Sequence, residues 1–332
     1  MIDVLSVKNF RNLQIEHLPF DKGINFIIGQ NGHGKTSILE ALHFFSGALK
    51  TTKAAELLAW GASLGEVTVQ IGDCNLRYVL MPEGKKSFID GIEASTKGKL
   101  VFVTFTPDDL FAIKGEPSKR RRLVDANLGQ ILPLYAKNLR IYKHALAQRN
   151  NLLKLLQHTN ETLDAWNEAI LPTAVYIVNI RRRYISRLSE EAAAFYKDIT
   201  GGEVMEIIYR PSSEDILQGW QATAARDIAA GFTIVGPHAD DLDFLIKGRE
   251  AKLYASQGQI RTAMLALKLA EMVILSKQFN PILLLDDVLS ELDSFRQEYL
   301  LKNMPTIQSF ITGTFIPRIQ TNIIEIKEGR IL

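Results

Sequence analysis

The spacing of apolar and polar positions changes along the 332-residue chain, and each change predicts a different kind of structure. In residues 1–113, short apolar stretches predict strands around a single helix. Alternating segments on either side of Gly72-Asp73 predict a hairpin, and a second hairpin is expected at Asp90-Gly91. The apolar residues 100–105 predict a buried strand. This part of the chain is typical of an α/β fold.

Between residues 118 and 199 the pattern becomes helical. From Leu128 to Leu146 the apolar residues recur at alternating steps of four and three, which is a heptad seam. A matching rhythm continues after a polar break at residues 158–160. We predict two antiparallel helices of about 35 residues, each at most roughly 50 Å long. Pro172 is expected to kink or divide the second helix.

After residue 200 the strand pattern returns. Residues 204–209 and 232–235 predict strands, and a helix is expected from 259 to 278. A buried strand should follow at 281–286, and a closing hairpin should turn at Glu328-Gly329. The predicted domains are a discontinuous α/β head, formed by residues 1–117 and 200–332, and a helical arm formed by residues 118–199.

Composition limits the classes of function. Hydrophobic residues make up 46% of the chain, which suits a globular core. No apolar run approaches the ~18 residues that a membrane span needs, and residues 1–7 lack the layout of a signal peptide. Cys74 is the only cysteine in the sequence, which excludes a disulfide framework and a cysteine-based zinc site. We expect a cytoplasmic protein without a membrane partner.

Charge is unevenly distributed along the chain. The net charge is +2, yet residues 114–200 hold 15 Lys and Arg against 8 Asp and Glu. Two runs lie in this segment, Lys119-Arg120-Arg121-Arg122 and Arg181-Arg182-Arg183. A basic segment in a near-neutral protein indicates a polyanionic partner, and we interpret the two runs as DNA contacts. Solvated helix faces are the alternative.

Residues 29–36 match the phosphate-binding loop G-x-x-x-x-G-K-[ST]. A short apolar run precedes the motif and a helical pattern follows it, which is the strand–loop–helix setting that the motif needs. Its glycines let backbone N–H groups surround phosphate oxygens. Lys35 is expected to reach the β- and γ-phosphates, and Thr36 to ligate Mg²⁺. The predicted nucleotide-binding residues are Gly29, Gln30, Asn31, Gly32, His33, Gly34, Lys35, Thr36 and Ser37.

An acidic pair ends the strand predicted at residues 281–286. Ligands bind at the carboxyl ends of strands in parallel sheets. We expect Asp286 to hold the Mg²⁺ shell, and Asp287 to polarise the attacking water as a catalytic residue together with Lys35. Asp286 follows Lys35 by 251 residues, so the two halves of one site lie far apart in the chain. This separation argues against small GTPases and nucleotide kinases.

Ser256-Gln257-Gly258-Gln259 resembles the signature motif of ABC-type ATPases, usually written L-S-G-G-Q. Residues 290–293 resemble the D-loop of the same class. The resemblance implies that Ser256 and Gly258, with Gln259 beside them, meet the γ-phosphate held by a second subunit, so that ATP is enclosed between two heads. An N-capping turn is the alternative for these residues, because serine is common before a helix.

Over essentially the whole chain the sequence resembles the RecF family of bacterial recombination-mediator ATPases, which are relatives of the SMC proteins. The resemblance implies an ABC-type P-loop ATPase head with a mixed sheet, interrupted by a short helical arm. It also implies that Arg11, next to Asn12, approaches the nucleotide phosphates, a plain surface arginine being the alternative. Besides the motifs above, it rests on Lys8-Asn9-Phe10-Arg11-Asn12, Pro117-Ser118-Lys119-Arg120-Arg121 and Gly236-Pro237-His238-Ala239-Asp240-Asp241.

The same resemblance implies an ATP- and Mg²⁺-dependent homodimer that clamps DNA at gaps or junctions. Slow ATP hydrolysis then releases the DNA, with RecR and RecO as partners and RecA as the protein loaded. The alternatives are another SMC-like repair ATPase and an ABC transporter subunit, the second of which the basic helical insert disfavours. Ala239 stands where the family commonly has arginine, and no counterpart of the ABC Q-loop glutamine is evident.

A metal cluster is a further interpretation of one acidic segment. His238 lies close in sequence to Asp240, Asp241 and Asp243, which are all residue types that bind metals. However, adjacent acids diverge on a strand, and the family resemblance implies no metal at this position. We therefore do not expect a dedicated metal site there.

Overall fold

The computed structural model describes residues 1–46, 53–96, 98–155, 160–304, 307–314 and 322–332. The chain divides into two compact units. The first consists of Met1–Leu110 and Met264–Leu332, and the second of Phe111–Ala263. The predicted arm, residues 118–199, lies inside the second unit, which extends further along the chain in both directions. That residues 118–199 form a domain of their own stays a prediction.

The first unit contains a sheet that we call the central sheet, six-stranded within the described residues. Five neighbouring strands pair in parallel, and Arg330–Ile331 pairs antiparallel at one edge. All four residues of Ile282–Leu285 are buried, as expected for a strand covered on both faces. In spatial order the strands are Arg330–Ile331, Asn322–Lys327, Ile24–Ile28, Ser309–Gly313, Ile282–Leu285 and Phe102–Phe105.

The alternating stretches near the N-terminus form an antiparallel sheet, which we call the outer sheet. Buried residues alternate with more exposed ones along Gly65–Ile71 and Cys74–Met81, which form the hairpin predicted at Gly72-Asp73. The hairpin predicted at Asp90-Gly91 is also confirmed. In spatial order the strands are Leu13–Pro19, Val4–Phe10, Gly65–Ile71, Cys74–Met81, Gly84–Ile89 and Ile92–Glu93.

One hydrophobic core joins the two sheets of the first unit. It contains Leu5 and Val67 of the outer sheet, Leu42 of the helix after the phosphate-binding loop, and Leu284 of the central sheet. Burial of a large aliphatic side chain contributes about 1.5–3 kcal/mol, so this shared core holds the two sheets and the helix after the loop together. The helical elements of the unit's first segment and C-terminal part are Lys35–His43, Phe44–Ser46, Ala54–Leu57, Pro107–Leu110, Val288–Glu291 and Ser294–Asn303.

The second unit begins with three helices where the sequence predicted two. Pro117–Ile131 and Pro133–Leu155 divide what the heptad seam predicted as one helix. Leu132 between them is extended, with φ −121° and ψ 93°, because the proline ring that follows disfavours a helical conformation there. The third helix, Asn160–Thr200, continues through Pro172, so of the two outcomes expected at that proline the division is wrong and the kink stays a prediction. Its 41 residues span about 60 Å.

The rest of the second unit contains a small antiparallel sheet and a helix. The strand predicted at 204–209 is confirmed as Met205–Arg210. It pairs with Asp241–Ile246, which pairs in turn with Arg249–Glu250. The helix Ile216–Ala230 was not predicted; it is capped by the side chain of Asp215.

The strand predicted at residues 232–235 is wrong. Thr233 N donates to Asn150 Oδ1 at 2.9 Å, and Ile234 N donates to Asp227 Oδ1 at 3.0 Å. Side chains therefore occupy the backbone donors that a neighbouring strand would need. Of the three apolar side chains in this segment, only that of Val235 is buried, so the apolar pattern does not indicate a strand here.

The helix Gln257–Ser276 follows this unit's last strand and agrees with the predicted helix at 259–278. The boundary between the two units falls within it. Ala251–Tyr254 forms a short helix just before it. Among the described residues, no helix has both the length and the apolar character that crossing a membrane requires.

Candidate nucleotide-binding site

The phosphate-binding motif forms the loop between Ile24–Ile28 and the helix Lys35–His43, as the sequence predicts. Gly34 has φ 106°, and a Cβ there would lie 2.9 Å from a leucine side chain. A Cβ at Gly29 would lie 2.5 Å from the main-chain oxygen of Ile326 in the adjacent strand. Larger residues are thus excluded at both positions, which leaves the backbone N–H groups of the loop accessible to a ligand.

Lys35 begins the helix after the loop, and its side chain is buried. Its ammonium donates to the main-chain oxygens of Gly29 at 2.7 Å and Gln30 at 3.1 Å. Both acceptors are neutral, and within the described part of the chain the ammonium makes no ion pair. A buried cation without a counterion is costly, so an anionic phosphate in the loop would supply the missing charge.

Asp286 directly follows the strand Ile282–Leu285, and its side chain contacts a residue of the phosphate-binding loop that is distant in sequence. Thr36 Oγ1 donates to Asp286 Oδ1 at 2.9 Å across 250 residues of sequence. Thr312 Oγ1 donates to the same oxygen at 3.0 Å. Mg²⁺ prefers oxygen ligands and commonly uses one or two protein groups together with phosphates and water. The paired hydroxyl and carboxylate fit such a site.

Asp287 lies next to the Mg²⁺ candidates in a left-handed conformation, with φ 52°. Its N–H donates to Thr312 Oγ1 at 2.8 Å, and its main-chain oxygen accepts from Ser290 Oγ at 2.6 Å. Burial raises the pKa of the Asp287 carboxyl above its ordinary value; Lys35 opposes this change and Asp286 adds to it. A raised pKa makes the carboxylate a stronger base, which suits the role predicted for it.

These residues line one cleft in the first unit, with a volume of about 650 Å³. This size is within the range of small-molecule sites. Glu56 and Leu58, which are missing from the predicted set, also line the cleft, and Glu40 pairs with the lining residue Arg11. The lining residues are Arg11, Asn12, Asn31, Gly32, Gly34, Lys35, Thr36, Ser37, Glu56, Leu58, Asp286 and Asp287.

Three predicted nucleotide-binding residues have supporting positions outside the lining. The main-chain oxygens of Gly29 and Gln30 accept from Lys35, as described above. The main-chain oxygen of His33 accepts from Gly329 N at 2.9 Å. These residues hold the loop in shape in this structure.

Arg11 and Asn12 both lie at the cleft, as the family resemblance implies. Arg11 Nε donates to Glu40 Oε2 at 3.0 Å, and its Nη1 donates to the main-chain oxygen of Glu56 at 2.9 Å. Asn12 accepts from Ser37 Oγ at 2.9 Å. The guanidinium is therefore held at the cleft by a carboxylate. Its contact with phosphate stays a prediction.

Two supporting residues carried no signal of this role in the sequence, in which Gly329 indicated only a turn and Thr312 belongs to no recognised motif. Thr312 is fully buried and bonds to both members of the acidic pair, as described above. A Cβ at Gly329 would lie 1.7 Å from the main-chain oxygen of Asn12, so only glycine fits where the C-terminal turn meets the loop. Both contacts depend on residues distant in sequence.

The signature-like residues lie in the second unit, at the start of the helix Gln257–Ser276. Gln259 N donates to Ser256 Oγ at 3.2 Å, and Ser256 N donates to Gln259 Oε1 at 3.0 Å. This reciprocal pair is a capping box. Gly258 O accepts from Thr262 Oγ1 at 2.8 Å within the helix. The capping alternative is thus realised, while the side chain of Ser256 remains exposed. Contact with a nucleotide stays a prediction.

The two arginine runs do not form the continuous DNA-contacting surfaces that we predicted. Arg181 is 2% exposed and donates to both carboxylate oxygens of Asp125, at 2.9 and 3.0 Å, and to Asp240 Oδ2 at 3.1 Å. Arg120 is 3% exposed and makes a two-bond contact with Asp241 at 2.8 and 2.9 Å. Both guanidinium groups are buried and paired with carboxylates, so these two residues are not available to contact DNA.

In the segment considered as a metal cluster, the side chains make ion pairs and hydrogen bonds with other protein groups. Asp240 and Asp241 accept from the buried arginines, and Asp243 Oδ2 accepts from Arg210 Nε at 2.8 Å. His238 Nε2 donates to the main-chain oxygen of Thr233 at 2.9 Å, which leaves Nδ1 to accept from a tyrosine hydroxyl. Burial lowers the pKa of His238. Among the described residues no group of three potential metal ligands is present.

Comparison with known proteins agrees with this geometry. A family model described as the RecF/RecN/SMC N-terminal domain matches residues 1–315. The DNA replication and repair protein RecF of Geobacillus thermodenitrificans (strain NG80-2) is 36% identical over 351 aligned positions, covering 97% of this chain and 94% of the relative. RecF of Bacillus cytotoxicus is 35% identical, covering 96% and 93%.

Solved structures give the same result. One described as the recombination mediator protein RecF-ATPrS in the RecFOR pathway has a TM-score of 0.91 at 31% identity, covering 100% of this chain and 97% of that one. The Smc head bound to the C-winged helix domain of ScpA has a TM-score of 0.60 at 17% identity, which shows a shared fold alone.

The fold and the cleft define an ABC-type ATPase head of the SMC class. The parallel central sheet and the phosphate-binding loop followed by a helix are the features that carry this assignment. Within that class, the chain belongs to the RecF family.

Proposed function

We propose that this protein acts in DNA replication and repair as an ATP-dependent clamp. It binds ATP in the cleft of the first unit, dimerises, holds DNA and releases it after slow hydrolysis. The observation that carries the proposal is the contact between Thr36 and Asp286, because it brings the two distant halves of the nucleotide site together. The similarity to RecF proteins supports the assignment to repair.

Within the cleft, each side chain has a distinct role in this proposal. Lys35 leaves its two carbonyl acceptors and binds the β- and γ-phosphates, which neutralises its buried charge. Thr36 and Asp286 would hold Mg²⁺, which would supply positive charge to neutralise the phosphate oxygens. Asp287 accepts a proton from the attacking water, and Thr312 fixes the backbone from which its carboxylate projects.

In this proposal the dimer forms through the exposed start of the helix Gln257–Ser276. We propose that Ser256 and Gly258, with Gln259, contact the γ-phosphate held by a second copy of the chain. Because each subunit supplies one cleft and one signature, a two-fold dimer encloses two nucleotides. ATP and the second subunit then bind cooperatively, since each increases affinity for the other.

The partners belong to the same proposal. Solved structures with high similarity are described as the recombination mediator RecF with ATP in the RecFOR pathway. We propose RecR and RecO as partners of this chain and duplex DNA with a gap or junction as its substrate. RecA is then the protein that is loaded onto the DNA. No specific observation favours the transporter alternative.

Molecular mass in solution tests the proposal. We expect light scattering to give a monomer without nucleotide and a dimer with ATP and Mg²⁺. Ser256→Arg places bulk and charge at the dimer contact, and should abolish the dimer while leaving ATP binding intact. Lys35→Ala should lose both. A wild-type mass that is the same with and without ATP, together with no ATP-dependent retention of DNA, would falsify the clamp.

A further inference from the structure

One helix of the second unit carries an extended basic face that the sequence analysis did not single out. On Pro133–Leu155, the buried residues include Tyr135, Tyr142, Arg149 and Leu153. With 100° per residue, the opposite side of the helix forms a continuous strip about 120° wide. Between the exposed residues Pro133 and Leu155 at the two ends of the helix, this strip, which we call the basic strip, consists of Lys137, Arg140, Lys143, His144, Ala147, Asn151 and Lys154.

The charge of the basic strip is unbalanced. The helix contains no aspartate or glutamate anywhere in its 23 residues. In the described part of the chain, Lys137, Arg140 and Lys143 make no ion pair with residues from elsewhere. The neighbouring helix Asn160–Thr200, in contrast, mixes exposed acids and bases along its surface.

This arrangement costs stability in the free protein. Lys137, Arg140 and Lys143 follow one another at three-residue spacing, which makes them neighbours on the helix surface, so their like charges repel one another. A face that is only solvated ordinarily mixes the two signs, so that opposite charges pair along it. A polyanion along the strip would remove the repulsion and replace it with attraction.

We propose that the basic strip contacts the phosphate backbone of duplex DNA. The inference rests on the proposed function, and it places the contact on this helix in place of Arg120 and Arg181. From Lys137 to Lys154 the strip is about 25 Å long, which is enough to follow several phosphates. The small side chain of Ala147 leaves the middle of the strip open to a close backbone approach, and Asn151 adds an amide donor beyond it.

Duplex DNA is the polyanion that the strip fits. Both tyrosines of this helix, Tyr135 and Tyr142, are buried on its opposite side. The strip therefore presents no tyrosine, phenylalanine or tryptophan ring on which an unpaired base could stack, and its one aromatic ring is the His144 imidazole. Recognition by cationic and amide groups favours the sequence-independent backbone of a duplex.

The salt dependence of DNA binding tests this surface. We would measure the affinity of the ATP-bound protein for a gapped duplex at several salt concentrations, for the wild type and for the triple variant Lys137→Gln, Arg140→Gln and Lys143→Gln. Three lost phosphate contacts should flatten the slope of log affinity against log salt by about 2.7 per subunit, since each contact contributes about 0.9. ATP-dependent dimerisation should be unchanged.

A matched control removes the same charge from another face of the second unit. Arg182, Arg183 and Arg187 are exposed on the helix Asn160–Thr200, and replacing all three with glutamine should alter the slope much less. An equal loss in both triple variants would overturn the proposal, because net charge alone would then explain it. Unchanged binding in the basic-strip variant would also overturn it. If the wild type binds no DNA, the proposed function fails. If the wild type binds DNA and the basic-strip variant binds it equally well, only the proposal for the basic strip fails.

Discussion

The phosphate-binding loop of the first unit and the arginine runs of the second were both prominent in the sequence, but they differ in the structure. The loop occupies the strand–loop–helix setting that its motif predicts, and its lysine lies at the cleft. The arginine runs are divided, with Arg120 and Arg181 buried while Arg122 and Arg183 are exposed. The loop therefore keeps the arrangement that its motif predicts, whereas each arginine run contains one buried, ion-paired arginine and at least one exposed arginine.

The difference arises because backbone groups bind the ligand in a phosphate-binding loop, whereas side chains would bind it in an arginine run. A phosphate-binding loop uses backbone N–H groups and a helix N-terminus, so its function is fixed by local conformation. A run of arginines has no such local constraint, because successive side chains on a helix point 100° apart. Arg181 faces Asp125 and Asp240, whereas Arg183 faces solvent. Charge in sequence therefore predicts a surface only after burial is known.

The largest expected effect lies at the site where sequence and structure agree. Asp287→Asn should lower ATP turnover by ~10²–10⁴ while ATP binding and the ATP-bound dimer persist. Asparagine tolerates the left-handed backbone that this position requires, so the change isolates the charge. Steady-state phosphate release measures it. As a control, Asp73→Asn in an exposed hairpin turn should leave turnover unaltered, and a wild-type rate for Asp287→Asn would move the catalytic role to another residue.

The next effect tests the contrast within the arginine run. Arg181→Ala leaves Asp240 buried without its counterion, and removing one partner of such a pair typically costs 3–5 kcal/mol. Arg183→Ala, two residues away and exposed, should cost less than about 0.5 kcal/mol. Urea unfolding followed by circular dichroism compares the two. Similar midpoints for both variants would contradict the structural role of Arg181.

A pH effect should arise at the end of the phosphate-loop helix. Burial lowers the pKa of His43 to about 4, against about 6.5 in an unfolded chain. The unfolded state therefore binds a proton more readily, so stability is full above pH 6.5 and is lost as pH falls toward 4. The loss is on the order of 2–3 kcal/mol.

Unfolding midpoints measured between pH 4 and pH 7 show this effect. His43→Gln should flatten the dependence, although it lowers stability at neutral pH. His17→Gln provides a control, because that side chain is exposed. An equally steep dependence in His43→Gln would assign the effect to other groups.

The smallest effect separates the two interpretations of Ser256. Ser256→Ala removes the N-cap and should cost about 1 kcal/mol, whereas Ser256→Asn keeps a capping side chain and should cost little. If the serine also contacts nucleotide across a dimer, both variants should weaken ATP-driven dimerisation. A dimer that is normal in Ser256→Asn would leave capping as the sole role.

Much of the site could be predicted from local pattern. The loop, the acidic pair and the strands that carry them follow from short-range apolar runs and fixed motifs. Thr312 and Gly329 could not be singled out in the same way, because their contacts form only when distant strands pair. The strand expected at 232–235 failed for a related reason, since its backbone bonds to side chains of other helices. Tertiary partners decide such positions, and no single window of sequence contains them.

The order of strands in the central sheet also has a consequence for synthesis of the protein. Ile24–Ile28, which leads into the phosphate-binding loop, pairs only with Ser309–Gly313 and Asn322–Lys327 among the described residues. A ribosome therefore makes the first of its two neighbours only 281 residues after the end of this strand. A nascent chain interrupted before residue 309 lacks both neighbours and cannot assemble the loop's support. Pairing over so long a separation also folds slowly, so the unpaired edges of the nascent strand remain exposed to aggregation until both neighbouring strands have been synthesised.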